Sequence, residues 1–202
     1  MPATGHIVCA VSEAHPHLTL NIRSMTSRQI ERALIDYELD AGVTYLSNEP
    51  LAQVRSVPLY SERYMFATRA DGPLGGGRRL SWAEAAAAPL CLLHVGMQNR
   101  RILDAHLASL GLTAAPCATA DSYVTLLSLV QSGGLSSILP HSYASLIPAH
   151  PGVRLIELAD PAPANDIGLV ILDREPISAL SRVAFTAAQQ VGLLRLFGRS
   201  DR

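Results

Sequence analysis

The sequence predicts an α/β fold built as two lobes, and three observations carry that prediction. Helical and strand-like apolar periods alternate along nearly all of the 202 residues. Hydrophobic residues make up 49 % of the chain and charged residues 16 %, which suits a chain with buried cores and excludes a disordered one. Two loop passages, after Ala67 and before Asp166, bracket a stretch in which the helix–strand pattern restarts. This places one lobe at residues 1–67 plus 166–202 and the other at 68–165.

Taken in order, a first helix is expected from about Thr4 to Ala14, with Ile7, Val11 and Ala14 on one face. His15-Pro16 ends it, because a proline disfavours helical geometry in the residue before it. Leu18, Leu20 and Ile22 alternate with Thr19, Asn21 and Arg23 and read as a strand. A second helix follows from about Arg28 to Tyr37; Thr26 and Gln29 have capping-box spacing, with Ser27 as the other candidate cap. Ala41 to Leu46 reads as the next strand. The resulting order of helix, strand, helix, strand is the one that parallel strands require.

Val57 to Ala67 reads as one long strand leaving this lobe, followed by the loops Asp71-Gly72-Pro73 and Gly75-Gly76-Gly77. Ser81 and Glu84 have capping-box spacing at the head of an alanine-rich helix, and Leu90 to Leu93 is a short apolar strand. Asn99 to Leu110 is a helix closed by Gly111. Pro116 to Ala120 is a strand, and Tyr123 to Ser132 a helix stopped by Gly133-Gly134. Leu135 to Leu139 is a strand ended by Pro140, and Val153 to Leu158 an edge strand. After the loop Pro161-Ala162-Pro163-Ala164 come a strand, Asp166 to Leu172, and one last helix from about Ile177 to Leu194.

Composition narrows function by exclusion. The net charge is -1 and the sixteen basic residues are all arginine without a basic stripe, so this segment is not expected to bind DNA by itself. No apolar run is long enough to cross a bilayer, and the first residues lack the regions of a signal peptide. The expected location is the cytoplasm. Cys9, Cys91 and Cys117 are few, far apart and set in apolar stretches, which reads as buried thiols in a reducing compartment. His15-Pro16-His17 lacks further ligands at metal-site spacing, and Gly75-Gly76-Gly77-Arg78-Arg79 lacks the residues of a phosphate loop. No Gly-x-Ser-x-Gly elbow is present; neither an enzyme nor a bound cofactor is expected.

Three segments carry a family resemblance: Glu38-Leu39-Asp40-Ala41-Gly42-Val43, Pro58-Leu59-Tyr60-Ser61-Glu62-Arg63-Tyr64, and residues 130–140, Val-Gln-Ser-Gly-Gly-Leu-Ser-Ser-Ile-Leu-Pro. Ile177-Ser178-Ala179-Leu180 leading to Phe185 adds a fourth. In this order and spacing the chain resembles the effector-binding (regulatory) domain of LysR-type transcriptional regulators. The resemblance implies two Rossmann-like lobes joined by two crossover strands, the type 2 periplasmic-binding-protein-like arrangement, with a small-molecule effector in the interlobe cleft. It also implies a homodimer or homotetramer that reaches DNA only through an amino-terminal winged helix-turn-helix. That module and the first strand of the first lobe are expected to lie outside this sequence.

Ligands of open α/β lobes sit beyond the carboxyl ends of strands, and the resemblance picks the same places. The candidate contacts are Ser24, Thr26, Ser27, Tyr45 and Leu46 in one lobe. In the other they are His94, Met97, Gln98, Asn99, Asp121 and Ser122. Helix starts present N–H groups and partial positive charge, so the expected guest is a small anion, above all a carboxylate. Arg100 and Arg101 read as solvated helix charges. The apolar faces of the first helix (Ile7, Val11) and of the helix carrying Val124, Leu127 and Val130 are candidates for pairing between copies. The rival reading is a solute-binding protein serving a transporter.

Overall fold

A computed structural model of the protein describes residues 1–47, 49–76, 79–149, 152–159 and 164–198. In chain order its elements are α1 (Ala3–Ala14), α2 (Ser27–Ile35), β1 (Gly42–Tyr45), β2 (Val54–Glu62), β3 (Tyr64–Arg69) and β4 (Arg79–Leu80). Then come α3 (Trp82–Ala87), β5 (Cys91–Leu93), α4 (Gln98–Ser109), β6 (Ala118–Ala120), α5 (Tyr123–Ser132) and β7 (Ser137–Pro140). A 3-10 helix (His141–Ala149), β8 (Val153–Leu158), β9 (Asn165–Leu172), α6 (Ala179–Gln190) and α7 (Leu193–Phe197) complete it. Gly77 and Arg78 of the glycine-rich loop, and Pro161, Ala162 and Pro163 of the later loop, lie outside the described residues. The chain divides into two compact units, Met1–Glu62 with Asn165–Arg202, and Arg63–Ala164.

In the first unit β9 is the central strand of the order β1-β9-β2, and both pairings are antiparallel. The parallel arrangement expected from the helix–strand alternation is absent from this sheet, because the partner of β1 comes from 120 residues later and runs the other way. A bulge between Pro58 and Tyr60 lets Leu59 and Tyr60 both turn inward, each 2 % exposed. Ile30 and Leu34 of α2 pack on Val170. The alternation at Leu18, Leu20 and Ile22 forms no strand. Among the described residues no strand pairs with this stretch, and Leu20 and Ile22 stay exposed. An apolar alternation becomes a strand only where a neighbour takes its backbone N–H and C=O groups.

The second unit holds a four-stranded sheet of order β4-β8-β3-β7 and a parallel pair, β5 with β6. Trp82, Leu90, Leu92, Leu103, Ile138 and Ile156 fill one part of its core. Leu126, Leu127, Val130 and Leu139 fill another around α5. Val153–Leu158, expected at an edge, lies between β3 and β4. The long strand expected from Val57 to Ala67 is broken at Arg63, whose N–H donates to His141 Nδ1 at 3.0 Å and whose C=O accepts from His141 N at 2.8 Å.

The single closing helix is likewise two, α6 and α7, with Gly192 between them at φ -62, ψ 56. Glycine is a poor helix former, and here the chain turns at the residue that resists it least. The three cysteines are free, but only Cys91 is buried; Cys9 and Cys117 are exposed, because an apolar neighbourhood in sequence does not fix the side a residue faces.

Candidate functional site

In the first unit the start of α2 is held by a reciprocal cap. Thr26 Oγ1 accepts from Gln29 N at 3.3 Å, and Thr26 N donates to Gln29 Oε1 at 2.8 Å. Thr26 is therefore the cap, and Ser27 is the first helical residue. That frees the Ser27 hydroxyl to face β1, where it lies 2.8 Å from Thr44 Oγ1; both residues are buried. Ser24 is exposed on the segment before the cap.

At the end of β1 the two candidates do structural work. Tyr45 is 4 % exposed and its hydroxyl donates to Glu62 Oε1. Tyr60 OH donates to the other oxygen, Oε2, at 3.2 Å. Leu46 packs on β9 at Gly168, where an added Cβ would stand 2.5 Å from Leu46 Cδ1.

Glu62 is a buried carboxylate, 3 % exposed, that the sequence reading did not single out. The signal was present: Tyr60 and Glu62 are two apart on one strand and share a face.

The second unit gathers its candidates at one edge. β5 and β6 run parallel with Leu93 opposite Ala120, and His94 N donates to Ala120 O at 2.9 Å. The residues that follow both strands, His94 and Asp121-Ser122, therefore leave the sheet side by side at its carboxyl end. Ser122 is the N-terminal cap position of α5 and Met97 that of α4, and neither makes a side-chain cap bond. The twelve-residue α4 thus opens at this edge with no side-chain bond from its cap residue, Met97, at the end where helix N–H groups carry partial positive charge.

The loop before α4 is fixed by its own contacts. Gly96 N donates to His94 Nδ1 at 3.0 Å, and a Cβ at Gly96 would meet that ring at 2.5 Å. Arg101 Nη1 donates to the carbonyls of Gly96 at 2.8 Å and Val95 at 3.3 Å. Gln98 and Asn99 are both buried, and Asn99 O accepts from Tyr64 OH at 3.1 Å.

Arg100 departs most from expectation. It is 7 % exposed rather than solvated, with Nε shared between the two oxygens of Asp104 at 2.8 and 2.9 Å and Nη1 on Leu93 O at 2.9 Å. It ties the start of α4 to the end of β5, so both arginines serve the loop's geometry. Among the described residues no group of three or more His, Cys, Asp or Glu is placed to hold a metal ion, and no helix is long and apolar enough to cross a membrane.

Comparison with known proteins places this arrangement in a family. Two curated mycobacterial proteins, from Mycobacterium avium and Mycobacterium leprae (strain TN), are each named "Probable hydrogen peroxide-inducible genes activator". They are 29 % and 32 % identical to this chain over 172 and 177 residues, and the matches cover 81 % and 83 % of it. The chain spans about half the length of these relatives, 53 % and 54 %. Among solved structures, the effector binding domain of QuiR in complex with shikimate superposes with a TM-score of 0.76 at 18 % identity, covering 94 % of this chain and 90 % of that one. The α/β fold of the type 2 periplasmic-binding-protein-like class, expected from sequence, is the one found. The family model described as LysR substrate binding domain matches residues 5–192, and the chain belongs to that family.

Proposed function

We propose that this chain is the sensing part of a transcriptional regulator and that its effector is a small anionic metabolite, a carboxylate before all others. The observation that carries the reading is the uncapped start of α4 beside the carboxyl ends of the parallel strands β5 and β6. Gln98, Asn99, His94, Met97, Asp121 and Ser122 are the proposed contacts from the second unit; Ser27, with Ser24, Thr26, Tyr45 and Leu46 near it, supplies those from the first. A relative of the same fold is known with shikimate, itself a carboxylate.

A bound effector changes the conformational equilibrium of the domain only by its differential affinity for the two forms. In a longer protein that change is proposed to reach DNA through a separate reading module, in a cytoplasmic homodimer or homotetramer. The family is one of transcriptional regulators, and catalysis is no part of the proposal. A transporter's solute-binding protein is the competing assignment, which effector-dependent DNA binding by the longer protein would exclude.

The names of the mycobacterial relatives raise peroxide as a stimulus. Peroxide sensing by cysteine needs an accessible thiolate, commonly with a resolving thiol beside it. Cys91 is buried, and burial pushes its thiol up to about 11. This argues against Cys91 as the sensing thiol; Cys9 and Cys117 are exposed.

Thermal-shift screening of carboxylates and inorganic anions, shikimate included, tests the proposal on the wild-type chain and on Ser27→Ala. A ligand at about a hundred times its Kd stabilises by about 2.7 kcal/mol, a shift of several degrees. Equal shifts on both proteins remove Ser27 from the site, and no shift with any anion overturns the anion reading.

A further inference from the structure

The first unit contains a concavity that neither Ser27 nor Thr44 lines. It has a volume of about 130 Å³ and is lined in part by Leu34, Leu39 and Leu172. Arg174 and Asp40, two exposed residues of opposite charge, also line it.

Neither charge has an ion-pair partner among the described residues, and the reason for Arg174 is local. Its two chain neighbours, Asp173 and Glu175, both bond to Arg55, at 2.8 and 3.2 Å. Arg174 itself lies over the ring of Tyr37, with Cζ 4.5 Å from the ring centroid. Tyr37 holds a left-handed backbone, φ 58, just past the end of α2, and keeps its ring exposed at 65 %. Asp40 is anchored through its backbone, whose C=O accepts from Ser181 Oγ at 2.9 Å. The Arg174 guanidinium is thus held over Tyr37 and Asp40 by its backbone, and among the described residues the two side chains form no ion pair with each other.

We propose that this cavity binds a small aliphatic α-amino acid. Arg174 takes the carboxylate, Asp40 takes the ammonium group, and the three leucines receive the side chain. A simple carboxylate would meet Arg174 but would leave Asp40 facing like charge, and a simple amine would do the reverse at Arg174. The volume is that of roughly four waters, which suits a group the size of a valine side chain with its backbone at the opening. The site is separate from the effector contacts proposed above and does not depend on them.

Titration of the intact chain with L-valine, isovalerate and isobutylamine, followed by backbone and methyl NMR, tests it. The two analogues keep the branched skeleton and remove the ammonium or the carboxylate in turn. Valine is expected to shift the resonances of Leu34, Leu39 and Leu172 saturably, with each analogue about tenfold weaker or worse. Arg174→Gln and Asp40→Asn each lower valine affinity by about tenfold. Both positions are exposed, and an otherwise unchanged spectrum shows that the variants fold. The proposal is overturned if valine gives no saturable shift at these leucines. It is overturned equally if isovalerate or isobutylamine binds as tightly as valine, or if either variant binds valine with unchanged affinity.

Discussion

The hydroxyls of Ser27 and Thr44 stand 2.8 Å apart, joining the first turn of α2 to β1, and both residues are buried. Ser27→Ala leaves the Thr44 hydroxyl buried without this partner and should cost about 1–2 kcal/mol. The double variant with Thr44→Val should cost less than the sum of the single changes, since both remove the same bond. Urea unfolding of the four proteins measures the coupling; strict additivity would mean the pair contributes nothing as a pair.

Glu62 depends on its tyrosines. Tyr45→Phe removes a donor from a carboxylate that is 3 % exposed, and a loss of about 1–3 kcal/mol is expected. Tyr60→Phe should cost less, because its contact with Oε2 is longer, at 3.2 Å. Chemical denaturation gives both values, and the reverse order would reassign the main donor.

His106 should make the second unit acid-sensitive. Its ring packs edge-on against Trp82 with centroids 4.5 Å apart, and its Nε2 is buried with no hydrogen-bond partner among the described residues. Burial pushes its pKa below the ordinary value of 6.5. As pH falls, the unfolded chain therefore takes up the proton first. Stability is full above the ordinary value and declines below it. Thermal unfolding at about pH 7.5 and about pH 5 should show a smaller drop for His106→Phe than for wild type. An identical drop in both would place the acid sensitivity elsewhere.

The thiols should separate by reactivity. Alkylation of the native chain near neutral pH is expected at Cys9 and Cys117, which are exposed, and not at Cys91, which is buried with its thiol raised to about 11. In denaturant all three react. Mass spectrometry of partly labelled protein reads the order, and early modification of Cys91 would contradict its burial.

What the sequence disclosed was mostly what neighbouring residues decide among themselves. The caps Thr26–Gln29 and Ser81–Glu84 were legible from spacing, as were the stops at Gly111 and Gly133. So was β5, a short wholly apolar run. What needed a distant partner was not legible. Leu18 to Ile22 has a strand's alternation and no strand beside it; β1 has a partner whose direction no local pattern reveals.

The site divides in the same way. The edge formed by His94 and Asp121-Ser122 follows from two strand ends, which periodicity located. The burial of Arg100 follows from a carbonyl at Leu93 and a carboxylate at Asp104 that only the folded chain brings to one place. Tyr45 was found for its position at a strand end, and the structure gives its hydroxyl to Glu62.

The central place of β9 sets a timetable for synthesis. β1 and β2 emerge from the ribosome early, yet the strand that joins them spans Asn165–Leu172. The whole of Arg63–Ala164 is translated in between, as one uninterrupted stretch with its own core. The second unit can therefore fold while the first is still waiting, and Tyr60 stays uncovered until Phe197 of α7, whose ring centroid lies 5.0 Å from its own, has also been made. The strands on either side of β9 are thus made before the second unit and completed after it.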